Sequence, residues 1–522
     1  MGRRREVPYS RSRQFCRLDR LETCPTKAAF NSPLQPGCDK PFAMPLPAGA
    51  TRYPAGDCSR VHAGSETGSA GRTTLLATTH HRPTMPSTIR RLLSLASLLL
   101  LPVSLWCGAT AGTLWAEDWP RWGGVRGDDS WQGPKLRESW PAEGLKRLWQ
   151  RPLGGGYGGV AAVGSRVLVM DRQTEPKERE RLLCCDAATG QELWLYETAV
   201  EYGKLDYGNG PRAMPVIDDN RVYLLGALGH FACLEVETGK LIWKHELRES
   251  HGARIPTWGL AASPLIVGNL VIVHPGGTPN ACWVAFDKQT GREVWRTGDD
   301  PAGYAIPVLI DAPSGPLLIG WSPTHIVGML PGDGQIVWNI PYEITYGVSI
   351  ATPIYHENLV FISGYWHGSK AIRLGKQPGD HELAWEENRF LRGLMAQPIF
   401  RDGHVYTIDK QFGLTCFALQ TAEKKWDCGH RVVERGANPQ ATLTWLNDTD
   451  RALIFNENGD LILARLTPAG YDERARAHLI DRKERSPLWA HPAYAGNRVF
   501  VRSDSEFIAY ELPVDSDGTG TR

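Results

Sequence analysis

Seven residues of this chain carry a charge or an aromatic face at matching places along the sequence, and together they favour ligand binding. Each stands in a short segment just before a predicted strand, and the set is Arg212, Arg254, Trp258, Tyr304, Tyr346, Arg392 and Arg435. Arginine matches carboxylates in a two-pronged geometry, and aromatic faces stack on planar or sugar-like ligands. The segments therefore predict a site for an anionic ligand or an acidic peptide. The alternative is structural, with the arginines paired to acids of neighbouring repeats or to loop carbonyls.

The same segments are poor in acids, which argues against a metal site and against an acid–base catalyst. Asp206 is the only nearby acid that precedes Arg212 in its segment, whereas a calcium ion takes six to eight oxygen ligands. The chain also contains no Ser-His-Asp order, no nucleotide-binding glycine loop, no zinc spacing and no Cys-x-x-Cys-His haem motif. We therefore expect no catalytic residue and no metal ligand. A net charge of +1 gives no general affinity for nucleic acid.

A repeated phrase indicates the elements that position these residues. Cys184–Gly190 leads to Trp194, and equivalent phrases at 233–239 and 285–291 lead to Trp243 and Trp295. Tryptophans recur every 41 to 52 residues, at positions 149, 194, 243, 295, 338, 385 and 426. A period of this length holds about four short strands, the content of one propeller blade.

Eight Val/Ile/Leu-rich runs, each bounded by turn residues, give the number of units. They are Ser165–Met170, Asn220–Leu225, Asn269–His274, Pro316–Trp321, Asn358–Ser363, Gly403–Ile408, Arg451–Asn456 and Asn497–Arg502. The last unit lacks its closing strand, and Leu148–Arg151 at the other end of the repeat region has the missing pattern. The sequence thus predicts an all-β, eight-bladed propeller of four-stranded antiparallel blades, with the ring closed by the N-terminal strand.

Proline supports this architecture independently. Six units carry a proline at one place in the strand before the Val/Ile/Leu-rich run: Pro215, Pro264, Pro307, Pro353, Pro398 and Pro492. Proline cannot donate a ladder hydrogen bond, so it favours edge strands. The innermost strand of a propeller blade is such an edge, because it faces the central channel.

The small-x-Asp-x-x-Thr-Gly-x-x-x-Trp phrase resembles the tryptophan-docking motif of the PQQ-like, quinoprotein-type propellers. That family includes the quinoprotein alcohol dehydrogenases and the BamB-type outer-membrane assembly lipoproteins. The resemblance covers roughly residues 119–513. The phrases Asp118–Trp122, Gly210–Arg212 and Trp258-Gly259 look most like the exported PQQ-like proteins of planctomycetes. In the family, the tryptophan of one blade stacks on the motif of the next.

The resemblance implies two functions, because the family contains both enzymes and scaffolds. A dehydrogenase would bind PQQ with calcium, use an Asp base, and place a vicinal disulfide such as Cys184–Cys185 beside the quinone. The repeat alignment gives these cysteines another role, since Cys184 falls in a small-residue slot and Cys185 in an apolar one. We expect a non-catalytic scaffold without a cofactor, binding an envelope protein or an anionic ligand. The alternatives are a PQQ-dependent dehydrogenase of alcohols or sugars, or another hydrolase or lyase on a propeller.

The N-terminal region predicts export. Met85, two arginines, the apolar run 92–106 and Ala109–Ala111 follow the order of a signal peptide, and the run is too short to span a bilayer. We expect translation to start at Met85, with residues 1–84 a mis-called or disordered extension and 85–111 the signal. A segment at 112–144 leads into a propeller at 145–513, and 514–522 form a disordered tail. The product is expected in the periplasm or at the cell surface, without a transmembrane span after signal cleavage. Cys107 raises a lipoprotein alternative, although Trp106 makes a poor lipobox.

Overall fold

The computed structural model describes residues 116–393, 395–436, 438–482 and 486–515, and eight small sheets make up this part of the chain. The predicted extension, the predicted signal peptide and nearly all of the predicted tail lie outside these residues. Seven sheets have four strands, and the eighth has a fifth strand added at its inner edge. The eight-bladed, four-stranded antiparallel propeller predicted from the repeats is thereby confirmed.

The strands follow the repeat in chain order. Two precede the first blade, and the next sixteen form blades 1 to 4: β1 Ser130–Trp131, β2 Lys146–Pro152, β3 Ala161–Val163, β4 Arg166–Gln173, β5 Arg179–Asp186, β6 Glu192–Ala199, β7 Val216–Asp218, β8 Arg221–Leu225, β9 His230–Glu235, β10 Leu241–Glu246, β11 Leu265–Val267, β12 Leu270–Val273, β13 Trp283–Asp287, β14 Glu293–Thr297, β15 Val308–Ala312, β16 Gly315–Trp321, β17 His325–Met329 and β18 Ile336–Pro341. Blades 5 to 8 contain β19 Ile354–His356, β20 Leu359–Ile362, β21 Ser369–Leu374, β22 His381–Glu387, β23 Ile399–Arg401, β24 His404–Asp409, β25 Gly413–Ala418, β26 Lys424–Asp427, β27 Ala441–Leu446, β28 Arg451–Asn456, β29 Asp460–Thr467, β30 Gly470–His478, β31 Ala493–Ala495, β32 Arg498–Arg502 and β33 Glu506–Glu511. A short helix, α1 (Leu247–Ser250), and a 3-10 turn (Thr345–Gly347) lie between blades.

The ring closes as the sequence predicts. Strand β2 pairs antiparallel with β33 and forms the outer strand of blade 8, with Trp149 opposite Ala509. A strand from the start of the repeat region therefore completes the last blade.

The six prolines mark the inner strands. Each is the residue immediately before the first strand of its blade, so that Pro215 precedes β7 and Pro492 precedes β31. First strands of several neighbouring blades contact one another, as β3 does with both β7 and β31, which places them around the central axis. Because proline stands just outside the ladder, it costs no hydrogen bond there.

The tryptophan motif ties neighbouring blades together. The Oδ1 atom of Asp186 accepts hydrogen bonds from the N–H groups of Ala188 and Thr189 and from the Thr189 hydroxyl. These bonds fix the turn, and Gly190 follows with a φ of 71° that favours glycine. Trp149, from the preceding blade around the ring, packs on Gly190 and donates from Nε1 to Ala187 O over 3.1 Å.

The same docking recurs around most of the ring. Trp194, Trp243, Trp295, Trp385 and Trp426 donate to carbonyls of the following blade, at Val236, Lys288, Pro331, Leu419 and Thr467. In blade 7 the register places Ala475, opposite Leu463, where other blades have the tryptophan. Six of the seven repeat tryptophans thus donate across a blade boundary.

Each repeat tryptophan faces a small residue on the neighbouring strand of its own blade. The partners of Trp194, Trp243, Trp295, Trp338, Trp385, Trp426 and Trp149 are Cys184, Cys233, Ala285, Gly328, Ala371, Cys416 and Ala509. At Gly328, an added Cβ would lie 2.2 Å from the Trp338 ring. The bulky indole therefore explains why this repeat position holds only small side chains.

The N-terminal segment lies at one end of the inner strands. Trp119 pairs with Ala162 of β3, and Pro120 O accepts the backbone N–H of Ile217 in β7. Gly164, in the turn after β3, donates its N–H to Asp118. Strand β1 adds parallel to β27 as the fifth strand of blade 7. The segment thus links the inner strands of blades 1 and 2 and extends the sheet of blade 7.

Candidate functional site

A cavity of about 500 Å³ lies at the opposite end of the inner strands, where the chain enters each blade. Every blade contributes at least one lining residue, and most of them come from the segments that precede the inner strands. We call this cavity the mouth cavity, and its aromatic lining consists of Tyr157, Tyr207, Trp258, Tyr304, Tyr346, Trp366 and Trp489. Its volume falls in the roughly 300–1,000 Å³ range of small-molecule sites.

The aromatic rings meet edge to face. Tyr207 and Trp489 have ring centroids 4.9 Å apart, and Trp258 and Tyr304 have centroids 5.6 Å apart. Tyr346 and Trp366 form a third such pair at 5.5 Å. This geometry is the one that aromatic quadrupoles prefer, so the rings hold one another in place.

Three of these rings are strongly exposed. Tyr346 is 73% exposed, Tyr207 47% and Trp366 41%, although large aromatic side chains favour burial. Tyr207 and Tyr346 also have a left-handed backbone, each with a φ of 61°. Such backbone strain in bulky residues is concentrated at functional sites. Exposure and strain together distinguish this end of the ring as the candidate site.

The polar lining is small and nearly neutral. Asp206, Arg212, Thr257 and Asn438 provide it. The Asn438 amide donates to the Tyr207 hydroxyl over 2.9 Å, and the Tyr157 hydroxyl donates to Tyr207 O over 2.5 Å. Burial raises the pKa of Tyr157 to about 12, so this phenol stays uncharged at neutral pH.

Arg212 is held by its own loop. Its Nη2 donates to Asp206 O over 3.2 Å and to Gly208 O over 2.5 Å, and its Nη1 donates to Gly210 O. The guanidinium carbon lies 5.4 Å from the centre of the Tyr157 ring, in a cation–π contact. Burial lowers the pKa of Arg212. The side chain therefore shapes the 206–212 loop as well as lining the cavity.

The predicted arginine ring is not assembled at the mouth cavity. Of the seven predicted residues, Arg212, Trp258, Tyr304 and Tyr346 line it. Arg254 is exposed and donates weakly to Asp299 O, Arg392 reaches Gln411 at 3.5 Å, and Arg435 is exposed. None of these three arginines lines the cavity. The structure brings the aromatic members together and leaves the other arginines outside.

Sequence reasoning missed four of the aromatic residues. Tyr207 shares its pre-strand segment with Arg212, and Tyr157 lies in the corresponding segment before the first blade, so their position alone signals them. Trp489 begins the last unit at a corresponding place. Trp366 comes from the turn between β20 and β21, and no repeat signal marks it.

The residues present do not fit a PQQ–calcium centre. The cavity lining offers one carboxylate, Asp206, where calcium takes several oxygen ligands. Across the described ranges, no group of three or more His, Cys, Asp and Glu residues is placed to hold a metal ion. Cys184 and Cys185 are buried free thiols within β5, and neither lines the mouth cavity. Burial raises the pKa of Cys184 to about 12 and that of Cys185 to about 11.

Comparisons with known proteins agree with the repeat. Residues 178–428 match a family described as "Outer membrane protein assembly factor BamB". The quinoprotein alcohol dehydrogenase PedH of Pseudomonas putida is 29% identical over 140 residues, which cover 25% of this chain and 23% of that protein. A quinoprotein ethanol dehydrogenase of Pseudomonas putida is 30% identical over 147 residues, which cover 26% of this chain and 23% of that protein. The chain thus spans about a quarter of the length of these curated relatives.

Solved structures show the same fold. A europium-containing methanol dehydrogenase superposes with a TM-score of 0.55 at 11% identity, covering 76% of this chain and 98% of the other. The quinohemoprotein alcohol dehydrogenase of Comamonas testosteroni also gives 0.55, at 12% identity, covering 77% and 82%. The predicted resemblance to PQQ-like propellers is confirmed, and the sequence matches include an outer-membrane assembly factor family as well as quinoprotein dehydrogenases. Within the described part of the chain, no helix has the length and apolarity needed to cross a bilayer.

Proposed function

We propose that this PQQ-like propeller is a non-catalytic binding protein of the cell envelope, which takes a ligand or part of a partner protein into the mouth cavity. The observation that carries the proposal is the cavity itself, to which all eight blades contribute. A lining dominated by aromatic residues with a few polar groups is typical of binding sites. The exposed rings of Tyr207, Tyr346 and Trp366 provide the contact surface.

The polar groups of the cavity support binding better than catalysis. Asp206 is exposed and stands without a second acid in the lining. Arg212 is bonded to loop carbonyls, which fixes its position. Such groups orient a ligand, whereas the oxygen-rich metal cage of a quinone enzyme is not among the lining residues.

Location in the envelope is part of the proposal. The predicted signal peptide at 85–111 supports export, and the matching family description names an outer-membrane assembly factor. An envelope protein is accordingly the favoured class of partner, and a small ligand is the other.

A PQQ-dependent dehydrogenase of alcohols or sugars is the second candidate. It is favoured by one observation, that the curated relatives quoted above are quinoprotein dehydrogenases. Those matches cover about a quarter of each chain, and the lining residues of the mouth cavity do not supply the calcium ligands that such an enzyme uses.

Retention of envelope components by cavity variants tests the proposal. Three proteins would be immobilised, incubated with envelope extract and then cross-linked: the full chain, the double variant Trp366→Ala/Tyr346→Ala and the control Leu383→Ala. Leu383 is 51% exposed on β22 of the same blade, outside the mouth cavity. We expect a component retained by the parent and by the control and lost from the double variant. Equal retention by all three proteins would contradict binding through the cavity.

A further inference from the structure

We infer that the mouth cavity binds a neutral saccharide, and this inference rests on the proposed binding function. It names the class of ligand and goes beyond the anionic ligand expected from the sequence. Three features of the cavity carry it: exposed ring faces, hydrogen-bonding groups beside them, and a balance of charge.

Exposed ring faces match the apolar face of a sugar ring. A pyranose presents C–H groups on its faces and hydroxyls around its edge, so it stacks on aromatic rings while its edge stays polar. Trp366 and Tyr346 are in contact at 5.5 Å between centroids, and both are exposed at the opening. Tyr207 stands at 47% exposure against Trp489 on another part of the wall. A flat ligand thus finds apolar surfaces on more than one side.

The polar groups suit hydroxyl groups. Asp206 accepts hydrogen bonds, the Thr257 hydroxyl donates and accepts, and the Asn438 amide offers an acceptor oxygen while its Nδ2 donates to the Tyr207 hydroxyl. A sugar hydroxyl both donates and accepts, so it pairs with each of these groups. Specific recognition by a few polar groups within an aromatic lining is what such a ligand needs.

The charge balance disfavours ions of either sign. Arg212 is the cation of the lining and Asp206 the anion. The Arg212 guanidinium already donates to the carbonyls of Asp206, Gly208 and Gly210 and contacts the Tyr157 ring. The paired Nη–H groups of Arg212 are therefore not available to a carboxylate or a phosphate. A cation would meet the Arg212 charge with a single carboxylate as compensation. A neutral ligand avoids both costs.

Calorimetric titration of the full chain with defined oligosaccharides tests the inference. The neutral probes are tetramers of glucose, mannose, galactose, xylose and N-acetylglucosamine, and the charged probes are oligogalacturonate and oligoglucosamine. We expect at least one neutral tetramer to bind saturably with one site per chain. Its Kd should rise at least tenfold in Trp366→Ala and in Tyr346→Ala, and it should be unchanged in Leu383→Ala. Both cavity residues are exposed, so thermal unfolding of each variant should match the parent and exclude misfolding as the cause.

The other outcomes separate this inference from the proposed function. Failure of every neutral tetramer to bind would overturn the saccharide inference, as would binding that both cavity variants leave unchanged. Binding of a charged probe alone, lost in Trp366→Ala, would also overturn it while leaving a binding function in place. If a bound neutral sugar were oxidised in the presence of PQQ and calcium, the ligand class would stand and the non-catalytic function would fall.

Discussion

Trp149 lies directly on Gly190, so that a Cβ added to Gly190 would sit 2.6 Å from the indole ring. The two residues belong to the last and first blades, which adjoin where the ring closes: Trp149 is on the closing strand of blade 8, and Gly190 is in the motif turn of blade 1. Gly190 has a φ of 71°, which leaves little conformational alternative for another residue. This contact secures the ring at the point where its first and last blades meet.

Replacing Gly190 with alanine should destabilise the protein more than the same change at Gly164. Both glycines are left-handed, so each variant loses about 1–2 kcal/mol through backbone strain. At Gly164 a Cβ would meet no heavy atom of the described residues within 4 Å. At Gly190 it clashes with Trp149, which adds about 1–3 kcal/mol. Denaturant unfolding of the two variants measures the difference, and equal losses would show that the ring contact is unimportant.

Removing the indole N–H should matter where that group donates to the next blade. Trp385 Nε1 donates to Leu419 O over 2.7 Å, whereas Trp338 Nε1 is buried without a hydrogen-bond partner among the described residues. Trp385→Phe leaves a carbonyl unpaired and should lose about 1 kcal/mol more than Trp338→Phe. The midpoints of urea unfolding compare the two variants. A greater loss for Trp338→Phe would contradict docking through the indole N–H.

The adjacent cysteines should be unreactive in the folded protein. Burial raises the pKa of Cys184 to about 12 and that of Cys185 to about 11, and the thiolate is the reactive form. Alkylation at pH 8 followed by peptide mass mapping should leave both residues unlabelled. The same reaction in about 6 M guanidinium, which unfolds the chain, should label both cysteines. A Cys184–Cys185 disulfide within the mapped peptide, or rapid labelling of the folded chain, would contradict the role of these cysteines as buried packing residues.

His491 should make the protein less stable in acid. It is buried and stacked on Trp122 at 3.8 Å, and burial lowers its pKa to about 3. The unfolded chain takes up the proton near pH 6.5 and the folded chain does not. The stabilising contribution is therefore complete above about pH 6.5 and is lost as pH falls toward 3, at up to about 1.4 kcal/mol per pH unit. The free energy of unfolding of His491→Gln, measured against the parent, should improve as pH falls from 6.5 to 4. A difference in unfolding free energy that stays constant with pH would show that His491 is not the group whose protonation destabilises the folded protein.

The fold could be predicted from the sequence because the same pattern recurs in several repeats. The spacing of the tryptophans predicted the length of a blade, and the motif at Leu148–Arg151 predicted the closing strand. Both signals are local sequence patterns. The repeat alignment also assigned Cys184 to the small slot that the structure places opposite Trp194. Each of these features depends on neighbours along one blade.

The site was only partly accessible, because it depends on loops from eight blades. The segments that enter the inner strands could be found, and four predicted residues do line the mouth cavity. Whether an arginine turns inward depends on loop backbone geometry, and Arg254 and Arg435 lie outside the cavity. Trp366 lies in the turn after β20, where side-chain direction is set by the fold of blade 5 rather than by spacing.

A titration of the protein with PQQ, with and without calcium, shows whether the mouth cavity is a quinone site or a non-catalytic binding site. Quinone absorbance reports binding, and an artificial electron acceptor with simple alcohols and sugars reports turnover. We expect no calcium-dependent stoichiometric binding and no turnover, because the lining of the mouth cavity provides one carboxylate, Asp206. Stoichiometric, calcium-dependent binding with turnover would contradict this expectation and establish a quinoprotein dehydrogenase.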